Sequence, residues 1–127
     1  VSSLVLDASA LLALMNDEPG SEVVAQVVEG SSMNAVNVAE VISKLVERGL
    51  ESGDVHASID GFGIVMHDFT IADAVVTGDL RHSTRRLGLS LGDRACIATA
   101  QRLGGTVLTA DSAWGRGALP VTVKLIR

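Results

Sequence analysis

The sequence predicts an α/β fold in which a mainly parallel central sheet of four to five strands is covered by helices on both faces. Short apolar stretches alternate along the chain with longer segments whose apolar residues recur at helical spacing. Of the 127 residues, 47% are hydrophobic and 20% are charged, which is enough apolar material for one ordinary core. No repeat, linker or low-complexity segment interrupts the pattern. We therefore expect a single domain over residues 1–127.

Five strands and six helices are predicted in alternating order. The strands are Val1–Leu6, Ser31–Ala35, Gly63–Asp68, Thr106–Thr109 and Val121–Ile126. The helices are Asp7–Asn16, Ser21–Glu29, Asn37–Gly49, Val55–Phe62, Ile71–Leu87 and Asp93–Leu103. Glycine, proline and small polar residues, as in Pro19–Gly20, Ser52–Gly53–Asp54 and Gly104–Gly105, separate these elements. Right-handed crossovers would bring the carboxyl ends of the parallel strands to one edge of the sheet.

The sequence also indicates the cellular compartment of the protein. The apolar runs are far shorter than the about 20 residues that a membrane-spanning helix needs, and residues 1–6 have neither the length nor the basic start of a signal peptide. The single cysteine, Cys96, cannot form an internal disulfide bond. We therefore expect a cytoplasmic protein that does not bind a membrane.

Charge is divided unevenly along the chain, whose net charge is −5. Residues 1–80 carry two basic and thirteen acidic residues, whereas residues 81–127 carry eight basic and two acidic residues. This asymmetry indicates either a surface that faces a polyanion or two halves that attract each other. With two phenylalanines, one tryptophan and no tyrosine, a sheet that stacks RNA bases on aromatic rings is not expected.

Four carboxylates are predicted to meet where the strands end. Asp7 follows the first strand, and Glu40 lies in the first turn of the helix after the second strand. Asp93 begins the helix after a leucine-rich loop, and Asp111 follows the fourth strand. Open α/β sheets form their ligand sites at this edge.

Each acid also suits an ordinary structural role. Asp7 and Asp93 are placed to cap helices, and Asp111 could close a turn. Asn37 and Glu40 match a capping box in which Asn37 is the cap. Caps do not require carboxylates to gather, however, and gathered carboxylates raise one another's pKa values.

A divalent cation would relieve this repulsion. Ligands that are all oxygen suit Mg²⁺ or Mn²⁺, which bind one or two carboxylates together with water and substrate phosphate. Ser9, Asn37 and Thr109 carry hydroxyl or amide groups that could orient the carboxylates or a water molecule. The same groups could equally form ordinary turn or cap hydrogen bonds.

Four short motifs carry a resemblance to a known family. Residues 5–10 (VLDASA) resemble the opening of PIN-domain ribonucleases. Residues 38–41 (VAEV), 91–100 (LGDRACIATA) and 108–111 (LTAD) resemble the three later acidic motifs of that family. Their order and spacing resemble the VapC-type toxins of bacterial toxin–antitoxin pairs, and the resemblance covers essentially the whole chain.

The resemblance implies a PIN-like three-layer α/β/α sandwich and a metal-dependent endoribonuclease that cleaves RNA with water activated by Mg²⁺ or Mn²⁺. It implies Asp7, Glu40 and Asp93 as the central metal ligands and Asp111 as a more variable fourth member. It also implies a cognate antitoxin protein that covers the active site, and a homodimer of the toxin.

Several arginines could bind the RNA backbone through charge-assisted hydrogen bonds. The candidates are Arg81, Arg85, Arg86, Arg94 and Arg116. Arg94 could instead pair with Asp93 when RNA is absent, and the other arginines could serve solubility or pair with acids elsewhere.

Two rival functions remain at this point. A PIN-like fold without nuclease activity could act as a binding module. A receiver-like signalling domain is also a parallel α/β protein with an acidic pocket at the strand ends. Such a domain would have adjacent acids after its first strand and a lysine late in the chain. Here Asp7 stands alone, and Lys124 lies inside the last predicted strand.

Overall fold

A computed structural model describes residues 3–127. These residues form a five-stranded sheet that comprises β1 (Leu4–Leu6), β2 (Ser32–Asn34), β3 (Val65–His67), β4 (Thr106–Thr109) and β5 (Thr122–Leu125). The strand order is β3-β2-β1-β4-β5, and neighbouring strands are parallel. The predicted parallel sheet is thereby confirmed. Val1 and Ser2, which begin the first predicted strand, lie outside the described residues.

Six α-helices surround the sheet: α1 (Ala8–Met15), α2 (Ser21–Val27), α3 (Ala35–Glu47), α4 (Ser52–Asp60), α5 (Ile71–Thr84) and α6 (Leu91–Leu103). Two short 3₁₀ helices, Arg85–Leu87 and Ser112–Arg116, follow α5 and β4. No helix among residues 3–127 is long and apolar enough to cross a membrane.

Apolar cores cover both faces of the sheet. Because side chains alternate along a strand, Leu6 and Leu108 face one core while Val5 and Val107 face the other. The first core is filled mainly by α1, α2, α3 and α4, and the second mainly by α6 and the buried Trp114. This arrangement is the predicted α/β/α sandwich. Helix α5 packs mainly on α6 and contributes Leu80 to the second core.

The central position of β1 determines which residues meet at the carboxyl edge. Strand β1 lies between β2 and β4, so Asp7 follows it at a point between the ends of those two strands. The backbone N–H of Asp7 donates to the carbonyl of Leu108 in β4, at 3.2 Å. Asn34 ends β2 and also caps α3, since its side chain accepts the N–H of Asn37.

The predicted start of α3 is wrong by two residues. Asn34 is the cap of this helix, so the expected capping box with Asn37 as the cap does not form. Both asparagines are chemically able to cap, but the pairing of β2 with β3 ends at Asn34, and the helix begins immediately afterwards. Glu40 consequently lies in the second turn of α3 rather than in its first.

Two other helix starts also differ from prediction. Ser52–Gly53–Asp54 was expected to separate two helices, but it forms the first turn of α4 because the carboxylate of Glu51 accepts the N–H groups of Gly53 and Asp54. Helix α6 begins at Leu91 rather than at Asp93. Ser90 caps this helix, and Asp93 completes a capping box as its third residue.

Candidate functional site

The carboxylate of Asp7 is buried at the carboxyl end of β1 and accepts three hydrogen bonds. Its Oδ1 atom accepts the backbone N–H of Ala10 at 2.9 Å and the hydroxyl of Ser9 at 2.7 Å. Its Oδ2 atom accepts the hydroxyl of Thr109, at the end of β4. Asp7 therefore caps α1, as expected, and also joins the ends of β1 and β4.

The pKa of Asp7 is strongly perturbed. Burial raises the pKa of this carboxyl from 3.8 to about 6, and the negative charge of Asp93 adds to the increase. Hydrogen bonds from Thr109, Ala10 and Ser9 act in the opposite direction, because they stabilise the ionised form. At neutral pH the group is mostly ionised, although its burial opposes the charge. Such a carboxylate is a favourable ligand for a cation.

Glu40 reaches the same edge from α3. Its side chain is half-buried, and its Oε1 atom accepts an N–H of the Asn37 amide at 2.8 Å. The same Nδ2 atom donates to the backbone carbonyl of Gly92, at 3.0 Å. Asn37, which is itself buried, thus links the Glu40 carboxylate to the first turn of α6.

Asp93 lies in that first turn. Its Oδ2 atom accepts the backbone N–H of Ser90 at 2.9 Å, while the hydroxyl of Ser90 accepts the backbone N–H of Asp93 at 3.1 Å. The capping box keeps the half-buried side chain of Asp93 next to its own helix start. The expectation that Asp93 is itself the cap is wrong, because Ser90 caps α6 and Asp93 completes the capping box from the third residue of the helix.

Three of the four acids surround one region of the protein. The pKa of the Cys96 thiol is raised well above its usual value, first by complete burial and then by the negative charges of Asp7, Asp93 and Glu40. All three carboxylates act electrostatically on this one buried thiol, and Glu40 is linked through Asn37 to Gly92, so the three acids lie near the first turns of α6. We call Asp7, Glu40 and Asp93 the acidic triad.

Asp111 lies apart from the acidic triad. Its side chain is exposed, and its carboxylate caps the second 3₁₀ helix by accepting the N–H of Ala113 at 2.9 Å. Its backbone N–H donates to the hydroxyl oxygen of Thr109, at 3.1 Å. Asp111 is therefore connected to Asp7 through Thr109, at the margin of the site.

The acidic triad does not form a closed set of metal ligands. Within residues 3–127, no three side chains of His, Cys, Asp or Glu are close enough to bind one metal ion together. Mg²⁺ normally keeps several water molecules and binds only one or two carboxylates. The oxygen-only donors and the raised pKa of Asp7 fit such an ion, with the remaining carboxylates acting through water.

The arginines divide into two groups. Arg81, Arg85, Arg86 and Arg116 are exposed. The first 3₁₀ helix, which contains Arg85 and Arg86, contacts the second, which contains Arg116. One of these short helices precedes α6 and the other follows β4, so their arginines lie beside the elements that carry the acids.

Arg94 differs from the other arginines because it is buried. Its Nη1 atom donates to the backbone carbonyl of Thr77 in α5, at 3.1 Å, and no carboxylate of residues 3–127 pairs with it. Consecutive residues of a helix point about 100° apart, so the side chain next to Asp93 turns towards α5. The expected pairing of Arg94 with Asp93 is therefore wrong, and the alternative that Arg94 contacts phosphate stays a prediction.

Three residues of the site were not predicted from the sequence. Ser90 could have been found, since Ser90 and Asp93 have the spacing of a capping box. Asn34, which donates to the hydroxyl of Thr99 at 3.0 Å, and Gly92 carry no sequence signal of their own. Their importance depends on which helices meet at the edge of the sheet.

A comparison with known protein families shows which family the chain belongs to. The sequence model of the PIN domain matches residues 4–118. The chain belongs to the PIN domain family. Among curated proteins, no sequence matches it. The family membership agrees with the resemblance carried by the four acidic motifs.

Solved structures of similar fold include toxin–antitoxin complexes. The chain is similar to a chain of a toxin–antitoxin complex from Klebsiella pneumoniae, with a TM-score of 0.79, 15% identity and 98% of each chain covered. It is also similar to a chain of DNA-bound VapBC from Salmonella typhimurium, with a TM-score of 0.74, 18% identity and 100% of each chain covered. For a chain of FitAcB from Neisseria gonorrhoeae, the TM-score is 0.70, the identity 23% and the coverage 97% of each chain.

The PIN fold excludes the receiver-like alternative. A receiver-like sheet has the strand order 2-1-3-4-5, whereas the order here is 3-2-1-4-5. The two sheets differ in which strands flank β1, and therefore in which residues surround its carboxyl end. The receiver-like prediction is wrong.

Proposed function

We propose that this PIN-domain protein is a divalent-metal-dependent endoribonuclease that acts as the toxin of a cytoplasmic toxin–antitoxin pair. The observation that carries the proposal is the acidic triad, in which carboxylates from three distant segments lie near the first turns of α6 at the carboxyl edge of a parallel sheet. The similarity of the fold to chains of VapBC and other toxin–antitoxin complexes supports the toxin role.

Asp7, Glu40 and Asp93 form the proposed site for Mg²⁺ or Mn²⁺, in which one or two of these carboxylates would bind the ion directly and the others, with Asp111, would act through water. When bound, the cation lowers the pKa of a water molecule and stabilises the negative charge that develops on the phosphoryl oxygens. Ser9 and Thr109 orient the Asp7 carboxylate through their hydroxyl groups. Asn37 does the same for Glu40 through its amide.

The RNA backbone is bound by the exposed arginines. Arg81 and Arg85 lie one helical turn apart, and Arg86 and Arg116 belong to the two 3₁₀ helices that contact each other. Guanidinium groups recognise phosphate through two parallel hydrogen bonds. Their positions beside β4 and the start of α6 suit a strand of RNA that crosses the acidic triad.

The antitoxin and a second copy of the chain are proposed as protein partners. Both need apolar surface, and α5 offers it: Ile71 is 83% exposed and Val75 is 61% exposed. The valines of residues 22–28 contribute to the core rather than to the surface, since Val24 and Val28 are buried there.

The nuclease proposal is tested by RNA cleavage with purified protein in Mg²⁺ or Mn²⁺. We expect cleavage that EDTA abolishes and that Glu40→Gln and Asp93→Asn each reduce at least 100-fold. Glu47→Gln is the matched control, because Glu47 lies in the same helix as Glu40 but is exposed and outside the triad. Full cleavage by an Asp7→Asn, Asp93→Asn double variant would overturn the site. Metal binding without cleavage would favour the binding-module alternative.

A further inference from the structure

Gly92 lies in direct contact with the Glu40 carboxylate. A Cβ atom added at Gly92 would lie 2.1 Å from Oε1 of Glu40, 2.5 Å from its carboxyl carbon and 2.8 Å from Oε2. No side chain other than the hydrogen of glycine leaves room for the carboxylate in this position. The backbone of Gly92 also accepts the Asn37 amide that binds Glu40, so both contacts hold the carboxylate against α6.

Backbone conformation does not explain this glycine. The glycines with positive φ are Gly20, Gly30, Gly49, Gly63, Gly88 and Gly104, and Gly92 is not among them. Gly92 is the second residue of α6, where alanine would stabilise the helix more than glycine does. The close approach of Glu40 is therefore the feature of the structure that requires glycine here.

The contact holds Glu40 against the helix turn that carries Asp93. Gly92 directly precedes Asp93 in the first turn of α6, where the helix carries partial positive charge. A carboxylate that rests on Gly92 therefore lies at the start of the helix that bears Asp93, and the helix start partly stabilises its charge. If the Glu40 side chain moved away by the width of a methyl group, the two acids could no longer serve one hydrated ion in the same way.

We propose that Gly92 is a positioning residue, which places the Glu40 carboxylate beside Asp93 for a shared Mg²⁺ or Mn²⁺ ion, with Asn37 as the clamp. The inference rests on the proposed function and deepens it. It assigns a role in metal binding to a residue without a functional group. It also explains why the first turn of α6, beside the proposed metal site, contains a glycine.

Gly92→Ala separates metal binding from folding. The atoms that a new methyl group would meet belong to the flexible end of Glu40, so the side chain can rotate away while the backbone stays in place. We expect the thermal midpoint without metal to be unchanged or higher. The Mn²⁺ concentration that produces half of the metal-induced shift should rise at least ten-fold, and RNA cleavage should fall in parallel.

Gly78→Ala is the matched control. Gly78 lies within α5, and no atom lies within 4 Å of the position that its Cβ would take. The same chemical change there should raise the thermal midpoint slightly and leave the Mn²⁺ dependence as in the wild type. A loss of Mn²⁺ binding in Gly78→Ala would show that a glycine-to-alanine change acts non-specifically.

A double variant tests whether Gly92 acts through Glu40. If it does, Gly92→Ala combined with Glu40→Gln should bind Mn²⁺ no more weakly than Glu40→Gln alone. Additive losses, or wild-type Mn²⁺ binding by Gly92→Ala, would overturn the inference while leaving the proposed function intact. A wild type that neither binds Mn²⁺ nor cleaves RNA would overturn both.

Asn37→Ala provides the test if Gly92→Ala does not fold. This variant removes the amide that links Glu40 to the Gly92 carbonyl but adds no atoms. It should weaken Mn²⁺ binding, again without a further loss when Glu40→Gln is added. If this variant bound Mn²⁺ as tightly as the wild type does, the proposed role of Asn37 in holding Glu40 would be wrong.

Discussion

Replacing Asp7 by asparagine should stabilise the protein while it removes the proposed metal site. The substitution preserves the shape of the side chain and eliminates a buried negative charge. The asparagine oxygen can still accept the N–H of Ala10 and the hydroxyl of Ser9, so the cap of α1 is retained. The change therefore isolates the energetic effect of the charge.

The expected gain in the free energy of unfolding follows from the pKa of Asp7. A pKa raised from 3.8 to about 6 corresponds to about 3 kcal/mol of stability. Because the fold prefers the protonated form, this stability is present below about pH 4 and is lost as the pH rises through about 6. An asparagine at this position does not titrate, so it keeps its contribution at neutral and alkaline pH.

Part of this gain in stability is lost at the hydrogen bond between Asp7 and Thr109. The amide nitrogen of asparagine would replace Oδ2, so the hydroxyl of Thr109 must accept rather than donate a hydrogen bond. This hydroxyl oxygen already accepts the N–H of Asp111. Rearranging one buried hydrogen bond costs about 1 kcal/mol, so we expect a net stabilisation of about 1–2 kcal/mol at pH 8.

The measurement is urea denaturation of wild type and Asp7→Asn at pH 5 and pH 8, with EDTA in every sample. The variant should be more stable at pH 8, and the difference should shrink towards pH 5 as the wild-type carboxyl becomes protonated. A variant that is less stable at pH 8, or a difference that does not depend on pH, would refute the reasoning. In millimolar Mn²⁺ the order should reverse, because ligand binding stabilises only the wild type.

Three further substitutions test packing and an ion pair elsewhere in the fold. Gly20 has a φ of +94°, and its Cβ would lie 2.7 Å from the carbonyl oxygen of Ile126, so Gly20→Ala should destabilise the protein by more than about 2 kcal/mol in urea denaturation. Gly49→Ala, with a φ of +98° but no atom within 4 Å, should cost only about 1 kcal/mol; equal losses would contradict the steric argument. Arg102→Gln removes the partner that lies 3.1 Å from the buried carboxylate of Asp73. Although burial raises the pKa of Asp73, its cap hydrogen bonds and the Arg102 guanidinium lower it below the usual value. Because Arg102 is 43% exposed, the loss should be about 1 kcal/mol at pH 7, and it should shrink as the pH falls below about 4 and through the lowered pKa of Asp73. A loss as large at pH 2 as at pH 7 would show that the contact is not electrostatic.

Local sequence patterns predicted an element or a cap correctly where a single short pattern pointed to it. Thr106–Thr109 is a strand with the predicted bounds, because a β-branched apolar run follows the paired glycines that end α6. Asp7 was expected to cap the first helix and does so. The start of α3 was missed because Asn34 and Asn37 are equally able to cap, and the end of the β2 ladder decides between them.

The sequence by itself determined the fold class, the order of strands and helices, and the four acids that follow or begin them. These features depend on apolar spacing and on turn residues, which act over a few positions. The tertiary structure decided which acids come near each other: Asp7, Glu40 and Asp93 lie near the first turns of α6, and the exposed Asp111 lies at the margin. It also turned Arg94 towards α5 and brought Gly92 against Glu40. Such contacts depend on the face that each helix presents to its neighbours, and packing sets that face.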